Sequence, residues 1–164
     1  LGAMKAVIDA GVELPVDCHP LFTISEEVGS GASAVLHGDV SEMLTLDNGT
    51  TAPGQNSSEY GVTLCMADMS GPFDYHLTHR MLQICQEFEI PHQRDIFRYY
   101  RSDSAAAVEA GNDLRTALAT FGVDASHGWE RIHWNALESL AQLVAVYMQS
   151  PPLFERDRAV DVND

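Results

Sequence analysis

Two adjacent acids, Glu26 and Glu27, close an apolar-rich run from Val16 to Ser25 that has the composition of a buried strand. Open α/β sheets build their sites where strands end. Neighbouring residues leave a strand in different directions, so one acid can bind a metal while the other reaches a water. Metal-assisted hydrolysis needs that division: a Lewis acid that lowers the pKa of water, and a separate base that takes the proton. Asp47 stands after a second short strand, Met43 to Leu46. His127, in Ala-Ser-His-Gly-Trp-Glu-Arg, lies between a strand and a helix, where a neutral imidazole suits zinc or cobalt beside carboxylates. Asp103, flanked by serines, either binds substrate or caps the helix that follows. Against all of this stands a plainer reading, in which these are solvated acids and a loop histidine of an acidic protein.

Other groupings carry less. His37-Gly-Asp39 has a His-x-Asp spacing but follows a helix and reads as a surface feature. His76 and His79 lie three apart on a helix, with no third ligand nearby. His19 falls inside the first strand and reads as a packed residue. Without a Gly-x-Ser-x-Gly elbow, a phosphate loop or a dinucleotide fingerprint, acyl-serine, P-loop and Rossmann chemistry have no support.

The elements that must position these groups alternate along the chain. The opening residues read as an amphipathic helix with Leu1, Met4, Val7 and Ile8 on one face, stopped by Gly11. Small residues from Gly29 to Ala34 predict a tight strand-to-helix turn. Residues 48 to 60 read as a polar loop, and Gly61 to Ala67 as a strand. Asp74 is placed to cap a helix to about Glu89, with Leu77, Met81, Leu82, Cys85 and Phe88 on one side. Strands are expected at Ile96 to Tyr100 and Thr116 to Phe121, a short helix at Ala105 to Ala110, and a final helix from Asn135 to Met148. Pro151-Pro152 ends that helix, and the stretch from Glu155 onward reads as a charged, poorly ordered tail. Such alternation predicts an α/β layered fold.

Composition sets the boundaries. The 164 residues carry 24 acidic and 9 basic side chains, a formal charge of −15. A field of that sign repels phosphate surfaces, which argues against nucleic acid and anionic membrane as partners. No apolar run approaches the roughly 18 residues of a membrane span. Three scattered cysteines do not form a disulfide framework. Two glycosylation sequons, at Asn48 and Asn56, have no other sign of secretion beside them, so a cytoplasmic domain is the default expectation. Leu1 is not an initiator Met, and the chain is expected to be part of a larger protein.

At Thr23-Ile-Ser-Glu-Glu-Val-Gly-Ser-Gly-Ala32 the sequence resembles the M42 family of metallo-aminopeptidases, which includes proteins described as endoglucanases. The likeness continues in order. Leu44-Thr-Leu-Asp47 looks like the family's strand ending in a ligand Asp, Arg101-Ser-Asp103-Ser-Ala like its Thr-Asp-Ala segment, and Ser126-His127 with Glu130 like its His-Ser…Glu segment. The branch associated with osmoprotectant dipeptide gene clusters looks nearest. The resemblance implies a three-layer α/β/α sandwich with a mixed, largely parallel sheet. It implies Glu26 as the general base, Glu27 and His127 on one of two divalent ions (zinc or cobalt), Asp47 on the other, and Asp103 on the substrate side or behind the ligands. It also implies a short peptide as substrate and a homo-oligomer as the assembled state.

Two departures shape the expectation. The family's upstream His-x-Asp strand and bridging Asp have no counterpart, and Glu130 stands one place closer to His127 than usual. Residues 1–154 then read as the C-terminal portion of a catalytic domain, with 155–164 as its tail, and the chain alone is expected to be inactive. Two alternatives stay open: a non-catalytic α/β module serving assembly or regulation, and a hydrolase of an acylated or amidated dipeptide.

Overall fold

The computed structural model describes residues 1–34, 36 and 38–153. Helix α1 (Gly2–Asp9) opens the chain, followed by an irregular stretch and a single 3-10 turn at Glu26–Val28. Then come β1 (Glu42–Thr50), β2 (Val62–Asp68), the short β3 (Gly71–Pro72), α2 (Tyr75–Glu87), β4 (His92–Ile96), α3 (Asp103–Glu109), β5 (Arg115–Val123) and α4 (Trp134–Met148). Among the described residues no helix is long and apolar enough to cross a membrane.

The sheet is mixed. β1 and β5 run parallel from Glu42↔Arg115 to Thr50↔Val123, β5 meets β2 antiparallel, and β2 pairs parallel with β4 and antiparallel with β3. Side chains alternate across it. Val62, Leu64, Ala117 and Ala119 point to one face and pack beneath Leu77, Met81, Ile84 and Cys85 of α2 and Leu140 and Leu143 of α4. Cys65 and Leu118 point to the other face, with Phe73 and Phe97. Thr45 faces that second side too, and its hydroxyl lies 2.6 Å from that of Ser104 in the first turn of α3. Helices thus flank the sheet on both faces, the expected three layers.

Several elements form as their residue pattern dictates. Asp74 caps α2 by accepting the Leu77 N–H at 2.8 Å, and its other oxygen holds Arg115 at 2.6 Å. Pro91 ends that segment, and its carbonyl accepts the Val62 N–H, starting the β2–β4 register. Gly11, at φ +64°, follows α1, which buries Ala3 and Val7 rather than the whole expected face.

Several expectations are corrected. Val16 to Ser25 is no strand: its apolar side chains face solvent, with Ile24 98% exposed, because no neighbouring strand meets it among the described residues. His19 is accordingly outside any strand. The strand expected at Ile96 to Tyr100 lies earlier, at His92–Ile96. Its inward positions are polar: Gln93 donates to the Thr63 hydroxyl at 2.6 Å, and Asp95 accepts the Asn56 and Ser57 N–H groups. Hydrophobic spacing cannot show such a strand. Finally, β1 continues past Asp47 to Thr50, and residues 29–34 themselves form turns and bends. His37 and the tail from Glu155 lie outside the described residues.

Candidate functional site

Glu26 and Glu27 occupy the 3-10 turn, where successive residues are set about 120° apart. Glu26 is half-buried and Glu27 exposed, so the two acids do diverge. Gly29, at φ +80°, stops the turn and donates its N–H to the Glu26 carbonyl at 2.7 Å. A side chain there would be strained, and the acids are held by this reversal.

Asp47 sits three residues before the end of β1. It faces the same side as Thr45, two positions earlier, and so looks toward the first turn of α3. Its own Oδ1 accepts the Asn48 N–H at 2.7 Å. Asp103 opens α3 and is only 4% exposed. Its Oδ1 accepts the Ala32 N–H at 2.8 Å, tying the helix to the loop that follows Glu26-Glu27. Its Oδ2 is buried with no hydrogen-bond partner among the described residues. Gly31 leaves room for this carboxylate, since a Cβ there would stand 2.6 and 2.7 Å from its oxygens.

His127 lies in the loop after β5. Its Nε2 is 3.5 Å from Glu27 Oε2, which joins the last segment of the site to the first. Four acids and one imidazole from distant parts of the chain therefore share one neighbourhood. Their charges bear on the Glu26 and Asp47 carboxyls. Burial pushes the Glu26 carboxyl above its ordinary value, Asp47, Glu27 and Asp103 push it further, and His127 works the other way. Asp47 is raised by burial first, then by Glu27 and Asp103, against the Asn48 N–H and His127. Crowded carboxylates with raised pKa values are held for a cation or a proton.

Carboxylates with an imidazole are donors that suit a borderline dication such as zinc or cobalt. The buried, unpartnered Asp103 Oδ2 and the crowding agree with a cationic occupant. In number the set falls short: among the described residues no three His, Cys, Asp or Glu side chains converge closely enough to hold an ion. The donors suit a dication in chemistry, but among the described residues they do not close round one.

The remaining histidines take other places. His76 and His79 flank Tyr75 on α2, His79 stacked on its ring at 5.5 Å and His76 edge-on at 5.4 Å. One group escaped the sequence reading. Asp68, at the end of β2 and 7% exposed, accepts the Ser70 N–H at 2.8 Å and the Ser102 N–H at 3.0 Å, with the Ser70 hydroxyl also bound. It fixes the residue just before Asp103, and the signal for it was the Asp-x-Ser turn at 68–70.

Fold and cluster together set a class: three-layer α/β proteins that gather acids and an imidazole over one face of a mixed sheet. Within that class the chain belongs to the M42 glutamyl aminopeptidase family, which it matches over residues 1–143. It is 38% identical over 140 residues to YhfE of Bacillus subtilis (strain 168), provisionally named an aminopeptidase, covering 85% of this chain and 40% of that protein. The chain thus spans well under half the length of this relative. Among solved structures it resembles the TET aminopeptidase of the marine sediment archaeon Thaumarchaeota archaeon SCGC AB-539-E09, with TM-score 0.74, 20% identity, and coverage of 92% of this chain and 45% of that one. It also resembles the Pyrococcus horikoshii TET1 peptidase, which can assemble into a tetrahedron or a large octahedral shell, with TM-score 0.68, 21% identity, and coverage of 77% and 39%. At these identities the likeness speaks for the fold.

Proposed function

We propose that the whole protein is a metal-dependent aminopeptidase that removes N-terminal residues from short peptides. The observation that carries this reading is the shared neighbourhood of Glu26, Glu27, Asp47, Asp103 and His127 in a chain of the M42 family. Glu27 and His127 would hold one divalent ion, zinc or cobalt, and Asp47 a second. Bound there, such ions would supply Lewis acidity toward a peptide carbonyl and lower the pKa of water.

The chain's own residues do the rest. Glu26 is the general base: its raised pKa brings its proton affinity nearer to neutral, where a base both accepts and returns a proton. Asp103 stands on the substrate side of the cluster and fixes the loop carrying the two glutamates through Ala32. A homo-oligomer working in the cytoplasm completes the reading, the oligomer being supported by the shells of the Pyrococcus horikoshii relative.

The 164-residue chain by itself is proposed to be inactive, because the ligands present are too few for a pair of ions. Release of free amino acid from aminoacyl-anilides, with zinc or cobalt added, tests this. The expected result is no turnover by the chain alone. Turnover that disappears in Glu26→Gln would overturn the inactivity while supporting the role of Glu26.

A further inference from the structure

His127 is one of two described non-glycine residues with positive φ, at +63°. L side chains rarely adopt that conformation unless their surroundings hold them in it. The surroundings here are specific. The neck of the loop is closed by the Asp124 N–H on the Arg131 carbonyl at 3.0 Å and by the Val123–Ile132 bridge. Arg131 braces one flank through Glu59 at 3.1 Å and Asp124 at 3.6 Å. None of these contacts reaches the tip. There, Glu130 Oε1 accepts the backbone N–H of His127 at 3.1 Å.

We propose that Glu130 is a positioning residue: by accepting that N–H it holds His127 left-handed and keeps the imidazole aimed at Glu27. Reversing φ at His127 would redirect its Cα–Cβ bond and carry Nε2 away from the 3.5 Å approach. Glu130 is exposed, and its hydrogen bond to His127 is local to this tip. The inference rests on the reading of His127 as a ligand, and the experiment separates the two.

The 164-residue chain, ¹⁵N-labelled, is compared with Glu130→Ala and Glu130→Gln by solvent-exchange NMR at the His127 amide and by calorimetric titration with Co²⁺. The glutamine keeps an acceptor oxygen but loses the charge. In Glu130→Ala the His127 amide is expected to exchange several-fold faster, and Co²⁺ affinity to fall about tenfold, the lower end for groups that orient ligands. Glu130→Gln is expected to restore both. An unchanged His127 amide in Glu130→Ala overturns the inference, as does unchanged Co²⁺ affinity beside faster exchange. Equal damage from Glu130→Gln overturns it too, by assigning the effect to charge. If the unsubstituted chain takes up no Co²⁺, as its short set of ligands allows, the amide comparison alone decides whether Glu130 holds the turn, and the reading of His127 as a ligand stands or falls with the whole protein.

Discussion

Leu143 and Ile24 are aliphatic side chains of nearly the same size in opposite circumstances. Leu143 projects from α4 onto the sheet and is fully buried among Leu64, Leu77, Met81 and Ala119. Ile24 lies two residues before the glutamate pair and is almost wholly in solvent, with Phe22 and Val28 also exposed. One region has an element facing it, and the other has none among the described residues. Burial depends on what stands opposite a residue as much as on its own hydropathy. The candidate site lies on the seam, with Asp47 and Asp103 rooted in the packed sheet and helix, and Glu26 and Glu27 carried by the bare segment.

The largest expected effect lies on the packed side. Leu143→Ala removes a fully buried side chain between two layers, and comparable core truncations cost about 2–5 kcal/mol. Chemical denaturation should show that loss with an unchanged slope. A cost under about 1 kcal/mol, the level of ordinary surface changes, would mean that α4 is not seated on the sheet as described.

A smaller effect, of opposite sign, is expected at the seam. The carboxyls of Asp47 and Glu26 have higher pKa values in the fold than ordinary acids, mainly through burial. A carboxyl raised on folding binds its proton more tightly in the native state. Its charged form therefore opposes folding, and that opposition sets in as pH rises through the raised value. Asp47→Asn cannot ionise there. It should raise Tm by a few degrees at pH 7, and the difference should vanish in acid, once the aspartate itself is protonated. A lower Tm for the variant at pH 7 would mean that the Asp47 charge has a stabilising partner.

The same contrast explains what could be read from residues alone. α2 was legible because Asp74 caps it and Leu77, Met81 and Cys85 recur at helical spacing. β2 was legible because its residues are buried on both sides. β4 was not, since Gln93 and Asp95 fill its inward positions by hydrogen bonding. The run from Val16 to Ser25 misled for the converse reason: composition reports what a segment would bury, not whether a neighbour exists to bury it. Glu26, Glu27, Asp47, Asp103 and His127 were singled out through a family pattern, and the structure places them in one neighbourhood. The burial of Asp103, its bond to Ala32 and the support from Asp68 were not legible. Those depend on how the end of β2 meets the start of α3, which no local spacing encodes.

The smallest effect is expected on the bare side, and it decides whether the contrast is real. Ile24→Ala deletes a side chain that touches almost nothing, so no cavity forms and little apolar area returns to water on unfolding. The change in stability should stay within about 0.5 kcal/mol, as for substitutions remote from packing. Denaturation of this variant beside Leu143→Ala gives the comparison in one experiment. Near-equal costs would show that the segment packs in solution, as its strand-like composition suggests. The glutamates would then sit on a framed element, and the seam would lie elsewhere. A large cost for Leu143 with none for Ile24 means that Glu26 and Glu27 are held chiefly by their own turn, by the Ala32–Asp103 bond and by the approach of His127.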